Sequence, residues 1–163
     1  MAAESSDLPR RIHGDHDARE CRIALAVSDF NPLVSRRLVE QATAALVEQG
    51  ADAGELTVAH VPGAFELPLI AKRLALTRRY DAVICLGAVI RGETSHYDLI
   101  CEAAARGISQ ASLETGVPII FGVLTTETLE QALERSAPGE RNRGRAAALA
   151  AIEMVSVIRK IKA

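Results

Sequence analysis

Three places in the chain have the side chains and backbone to move protons or hold anions: His96, Arg135 and the turn Gly92-Glu93-Thr94-Ser95. Acid–base work at neutral pH is well served by imidazole, which titrates close to neutrality unaided. His96, one residue past the turn, reads either as a proton carrier or as a capping or surface histidine. The turn leads into a helical stretch. Its free N–H groups, a hydroxyl and the positive end of the helix dipole make an anion site, phosphate included. The plainer reading is that Thr94 or Ser95 caps the helix. Arg135 precedes a turn holding Pro138 and Gly139, where a guanidinium either clamps phosphate with two parallel bonds or partners a helix C-terminus. Aromatic rings are scarce, with 3 Phe, 2 Tyr and no Trp. Phe30, Phe65 and Phe121 therefore read either as surfaces on which a flat ligand stacks or as plugs at the top of a sheet.

Other chemistries lack their residues. There is no GxxxxGK[ST] and no GxGxxG, so the usual nucleotide fingerprints are missing, and no GxSxG marks a serine nucleophile. Cys21, Cys85 and Cys101 are odd in number, widely spaced and set in apolar runs. They suit a reducing cytoplasm better than a disulfide framework, and they read as buried rather than activated. His60 falls within a strand and reads as a sheet-face residue. His13 and His16 form no metal-binding spacing with it, and no Cys or His cluster resembles a zinc site, so no metal is expected.

The elements that position these residues follow from periodicity. Short runs rich in β-branched residues, Ile23–Ser28, Leu56–Val61, Ala82–Gly87 and Ile119–Leu124, alternate with longer stretches of helical period. The first helix follows Asn31 and Pro32, a cap residue and a first-turn proline, and stops at Gly50. It carries Val34, Leu38, Ala42, Ala45 and Leu46 on one face. The second runs to about Arg79 and the third begins near Ser95, with Ile100, Ala104, Ile108 and Ala111 on one stripe. Leu129 to Ser136 and Gly144 to Lys162 complete the set. Strands alternating with helices imply right-handed βαβ units. The expected fold is a three-layer αβα domain around a four-stranded parallel sheet of flavodoxin-like order 2-1-3-4. Ligands of such sheets sit beyond the carboxyl ends of the strands, where most of the candidate residues fall; Phe121 lies within the fourth strand and Arg135 at the end of the fourth helix.

Composition bounds the rest. At 163 residues the chain is expected to form one domain burying roughly two-thirds of its unfolded surface. Lys plus Arg is 19 against 21 Asp plus Glu, giving a net charge of −2 that offers no footprint for nucleic acid or an anionic membrane. No window is apolar enough to span a membrane and no secretory signal opens the chain. Residues 1–20 are polar and charged and read as a flexible arm, with the domain occupying 21–163.

Taken together, the motifs resemble one family, the lumazine synthases (6,7-dimethyl-8-ribityllumazine synthase). The resemblance rests on Phe30-Asn31, on the run Val61-Pro62-Gly63-Ala64-Phe65-Glu66-Leu67-Pro68, and on Gly87 to Asp98 (GAVIRGETSHYD). It continues through Phe121 to Thr126 (FGVLTT), Glu130 to Arg135 (EQALER) and Ala151 to Met154. The blocks fall in the family's order from about Arg22 to Lys162. The resemblance implies condensation of 5-amino-6-(D-ribitylamino)uracil with 3,4-dihydroxy-2-butanone 4-phosphate, the penultimate step of riboflavin biosynthesis, with no metal or organic cofactor. It implies that Phe30 stacks on the pyrimidine and that Ala64, Phe65, Ala88, Val89 and Ile90 line its edge. Glu66 then accepts a bond from the ribityl chain, Phe121 closes the pocket, the Glu93-Thr94 turn and Arg135 hold phosphate, and His96 shuttles protons. Two positions stand out: Arg143 lies near where the family commonly carries lysine, and Glu93 puts a carboxylate beside the phosphate turn.

The resemblance also implies a homopentamer in which Phe121 and Arg135 complete a neighbour's pocket, twelve such rings forming a 60-subunit shell in some members. The short turn from Ser136 to Gly144 matches the shell-forming members. Two other readings stand beside it: a non-catalytic flavin- or lumazine-binding protein on the same scaffold, and a flavodoxin-like module that binds flavin mononucleotide and works as a monomer. Retention of both His96 and Arg135 weighs against the first of these, since a binder needs neither proton transfer nor a phosphate clamp.

Overall fold

The computed structural model describes residues 8–163. Four parallel strands, β1 (Ile23–Ser28), β2 (Thr57–Val61), β3 (Ala82–Ile90) and β4 (Ile119–Thr126), form a sheet of order β2-β1-β3-β4. Five helices cover it: α1 (Pro32–Glu48), α2 (Leu67–Leu76), α3 (His96–Thr115), α4 (Leu129–Ser136) and α5 (Arg143–Lys162). This is the three-layer αβα order that the alternation of elements predicts.

Side-chain alternation along the strands divides the interior in two. Ile23, Leu25 and Val27 of β1 pack with α1, α4 and α5, while Ala24 and Ala26 face α2 and α3. Both faces are covered, so β1 is buried along its whole length and reads as an unbroken apolar run. The predicted stripe of α1 is buried as expected, as are Ala104, Ile108 and Ala111 of α3. With few aromatic rings, density is reached by bringing helices close rather than by filling space with large side chains. At Gly144 the approach is closest, since a Cβ there would lie 2.2 Å from the carbonyl oxygen of Leu38. Only glycine lets α5 cross α1 at that distance.

Three boundaries differ from the sequence reading by two residues or more. Helix α2 ends at Leu76 rather than near Arg79, because Arg78 turns into the left-handed region at φ 57°. Strands β3 and β4 each run further than their apolar cores suggest, because Ala88, Val89 and Ile90 pair with Leu124, Thr125 and Thr126. Strand β1 pairs with β3 only as far as Val27 opposite Leu86. The last residues of β3 therefore project as a ledge above β1, with backbone groups on one side left without a strand partner.

Residues 1–7 of the segment read as an arm lie outside the described residues. Residues 10–18 lie against the end of α5. Lys160 Nζ donates to the carbonyl of His13 at 2.8 Å, and the Asp15 N–H donates to Ser156 Oγ at 3.1 Å. Ala18 is buried and its N–H donates to the carbonyl of Gln49.

Candidate functional site

A cavity of about 590 Å³ opens at the carboxyl ends of the strands. It is lined by Phe30, Ala64, Phe65, Glu66, Ala88, Val89, Ile90, Thr94 and His96, together with Gly92, Tyr97 and Ile100. Every candidate except Glu93, Phe121 and Arg135 is thus gathered on one side of the molecule.

Each wall is held by a local device. Phe30 sits on the turn between β1 and α1, where Asn31 adopts φ 60°. Asn31 stands at the N-cap position, but its side chain does not cap the helix. Its Nδ2 instead donates to the carbonyl of Ala88 at 3.0 Å, tying the turn to the ledge of β3. The Asp29 N–H donates to the carbonyl of Val61, and Asp29 Oδ1 lies 2.8 Å from His60 Nδ1, so the neighbouring strand end joins the same network. Phe65 lies in a single 3₁₀ turn, Ala64–Glu66, that runs directly into α2. Phe30 and Phe65 are 70% and 59% exposed in a chain with only 5 aromatic side chains. Neither serves the core, so the stacking reading gains over the plug.

The turn 92–95 resolves the choice between its two hydroxyls. Ser95 occupies the N-cap position of α3 without a side-chain cap bond, whereas Thr94 Oγ1 accepts from the His96 N–H at 3.3 Å. His96 is the first residue of α3 and is exposed, and its ring makes no hydrogen bond among the described residues. An imidazole so placed can both take and give protons to a molecule in the cavity. Glu93 is exposed, lines no part of the cavity and makes no ion pair within 4.0 Å among the described residues.

Phe121 and Arg135 lie elsewhere. With Arg143 they line a second cavity, about 390 Å³, along the open edge of β4 beside α5. Arg135 Nη1 donates to the carbonyl of Gln131 in its own helix at 3.1 Å, which leaves the other guanidinium nitrogens for a ligand. One chain thus presents two separate surfaces: a flat apolar slot with an imidazole, and a pair of guanidinium groups beside an exposed ring.

Sequence reasoning missed Tyr97 and Ile100 as lining residues. Both face the cavity because α3 starts one residue before Tyr97, a phase that a residue count alone leaves open. It also missed Arg91, whose bonds reach Asp98 and Glu127. The cysteines are shielded rather than activated. Burial pushes the Cys85 thiol up to about 12 and raises Cys21 and Cys101 as well. Among the described residues no group of three or more His, Cys, Asp or Glu side chains is placed to hold a metal ion. Among these residues no helix is long and apolar enough to cross a membrane. A cleft of about 630 Å³ beside the amino end of β1 contains the ion pairs of Lys160 with Asp15, at 3.0 Å, and of Arg19 with Asp17.

A family model described as 6,7-dimethyl-8-ribityllumazine synthase matches residues 20–159. A Chlorobium phaeobacteroides protein of that name is 53% identical over 152 residues, covering 93% of this chain and 98% of its own. One from Chlorobium phaeovibrioides is 51% identical over 150 residues, covering 92% and 97%. A third, from Desulfotalea psychrophila, is 50% identical over 151 residues, covering 93% and 97%.

Proposed function

The chain belongs to the 6,7-dimethyl-8-ribityllumazine synthase family, and we propose that it is a transferase of riboflavin biosynthesis. In this reading it condenses 5-amino-6-(D-ribitylamino)uracil with 3,4-dihydroxy-2-butanone 4-phosphate, releasing phosphate and water. The observation that carries the reading is the division of the site. The slot of Phe30, Phe65 and His96 suits a flat pyrimidine and proton transfer, and the Arg135 cavity suits a phosphate, yet they are separate surfaces of one chain.

A ring of copies joins them. In a homopentamer, Phe121 and Arg135 of one copy close the pocket built by Phe30, Phe65 and His96 of the next, an arrangement that head-to-tail contact generates naturally. The pyrimidine stacks on Phe30. The backbone of Ala64 and Phe65 and the ledge of Ala88, Val89 and Ile90 address its edge, and Glu66 accepts from the ribityl chain. The backbone N–H groups of the Glu93-Thr94 turn and the Arg135 guanidinium hold the phosphate and stabilise it as it leaves. His96 then serves the successive proton transfers of imine formation, phosphate elimination, ring closure and dehydration. The short connection between α4 and α5 favours assembly of twelve rings into a 60-subunit shell. Residues 21–163 form the single domain, with the segment 10–18 laid against the end of α5, and the enzyme works in the cytoplasm without a resident cofactor.

The test is turnover. Purified protein given both substrates is expected to form the lumazine chromophore and release phosphate in step, one for one. Tight binding of a lumazine or a flavin with no phosphate release would overturn the assignment in favour of a non-catalytic binding protein.

A further inference from the structure

Arg91, the first residue past β3, lines neither cavity, yet its side chain reaches three others. Its Nε lies 2.6 Å from Glu127 Oε2, and Nη2 and Nη1 lie 3.1 and 3.3 Å from the two carboxylate oxygens of Asp98. The guanidinium carbon stands 4.3 Å from the centre of the Tyr97 ring. Its backbone is fixed in turn, because the Arg91 N–H donates to the carbonyl of Thr126 at 2.9 Å.

We propose that Arg91 is the positioning residue for His96: by gripping Tyr97 and Asp98, it sets the rotation of the first turn of α3 and thereby the aim of the imidazole. The inference rests on the catalytic role given to His96 above. Helix ends fray unless held, and this one is held loosely by its own residues. The Ser95 carbonyl accepts from the Asp98 and Leu99 N–H groups at 3.1 and 3.4 Å, but its side chain supplies no cap, Thr94 supplies one bond of 3.3 Å, and the His96 ring makes none. The two residues that follow His96 are both clasped by one planar group anchored to the sheet. A guanidinium does this where an ammonium does not, since it offers a fork to Asp98, a further donor to Glu127 and a flat face to Tyr97 at once. The ion pairs are exposed, with 36% of the Arg91 side chain open to solvent, so they add little to global stability. Their effect is on orientation.

Steady-state kinetics on the full-length assembled protein tests this, with hydrogen exchange as a readout independent of turnover. Arg91→Ala is expected to lower kcat about tenfold or more, since small displacements of a catalytic group are costly. KM for the pyrimidine and the melting temperature should stay close to wild type, and Arg91→Lys should recover little. On a His96→Ala background the same substitution should cost nothing further, because its effect passes through the imidazole. Amides of residues 92–98 should exchange faster in Arg91→Ala while those of β3 keep their protection. Unchanged kcat, a full repeat of the loss on the His96→Ala background, or unchanged exchange at 92–98 would each overturn the proposal. Should Arg91→Ala fail to fold, Asp98→Asn opens the clasp from the helix side and must give the same signature. Wild-type protein that forms no lumazine refutes the enzymatic reading instead, and exchange at 92–98 still decides whether Arg91 holds the turn.

Discussion

His96→Ala is expected to lower kcat about a hundredfold, within the range a positioned acid–base group contributes, while KM for each substrate moves by no more than about threefold. The imidazole stands at the first residue of α3 on the rim of the cavity and makes no bond within the described chain, so removing it disturbs no packing. Turnover should not vanish. The slot and the phosphate site would still hold the two substrates in contact, and proximity alone accounts for much of the acceleration of a two-substrate condensation. Steady-state measurements of lumazine formation give kcat and both KM values, and wild-type turnover in His96→Ala would remove this residue from the chemistry.

Arg135→Ala should act on one substrate. Charge-assisted bonds contribute roughly 1.5–3 kcal/mol each, so loss of the guanidinium is expected to raise KM for the butanone phosphate between about tenfold and about a hundredfold. KM for the pyrimidine should stay within about threefold, because Arg135 lines the β4 cavity and not the slot of Phe30. The α4 helix keeps its capping box of Thr128 and Gln131, so the substitution leaves its support intact. Arg135→Lys should recover part of the loss, since charge returns without the fork. Equal increases for both substrates would mark Arg135 as a structural residue.

How much of this was legible in the chain depended on how local its cause was. The strands could be read because a parallel sheet covered on both faces turns them into apolar runs such as Ile23–Ser28, and the helices could be read from their stripes. Positions of Phe30, Phe65 and His96 beyond the strand ends followed from the same count. The ledge did not, because Ala88, Val89 and Ile90 are strand only through partners in β4 some 36 residues on, as in Val89 opposite Thr125. Asn31 was legible as a cap position, but its bond to Ala88 crosses 57 residues. The choice between Thr94 and Ser95 turned on backbone geometry that two neighbouring hydroxyls do not reveal. Arg91 was hidden for the same reason, as its grip on Glu127 spans 36 residues.

The proposal that neighbouring chains share each pocket makes a direct demand on mixtures. His96→Ala chains keep Arg135, and Arg135→Ala chains keep His96. Assembled together in equal amounts, they leave about a quarter of the pockets with an intact His96 facing an intact Arg135 of the next copy. Assayed with the phosphorylated substrate well below its KM, the mixed rings are expected to recover about a quarter of wild-type turnover, while each variant alone stays near its own residual rate. A mixture no faster than the average of the two variants would contradict the shared pocket and place the whole reaction within one chain.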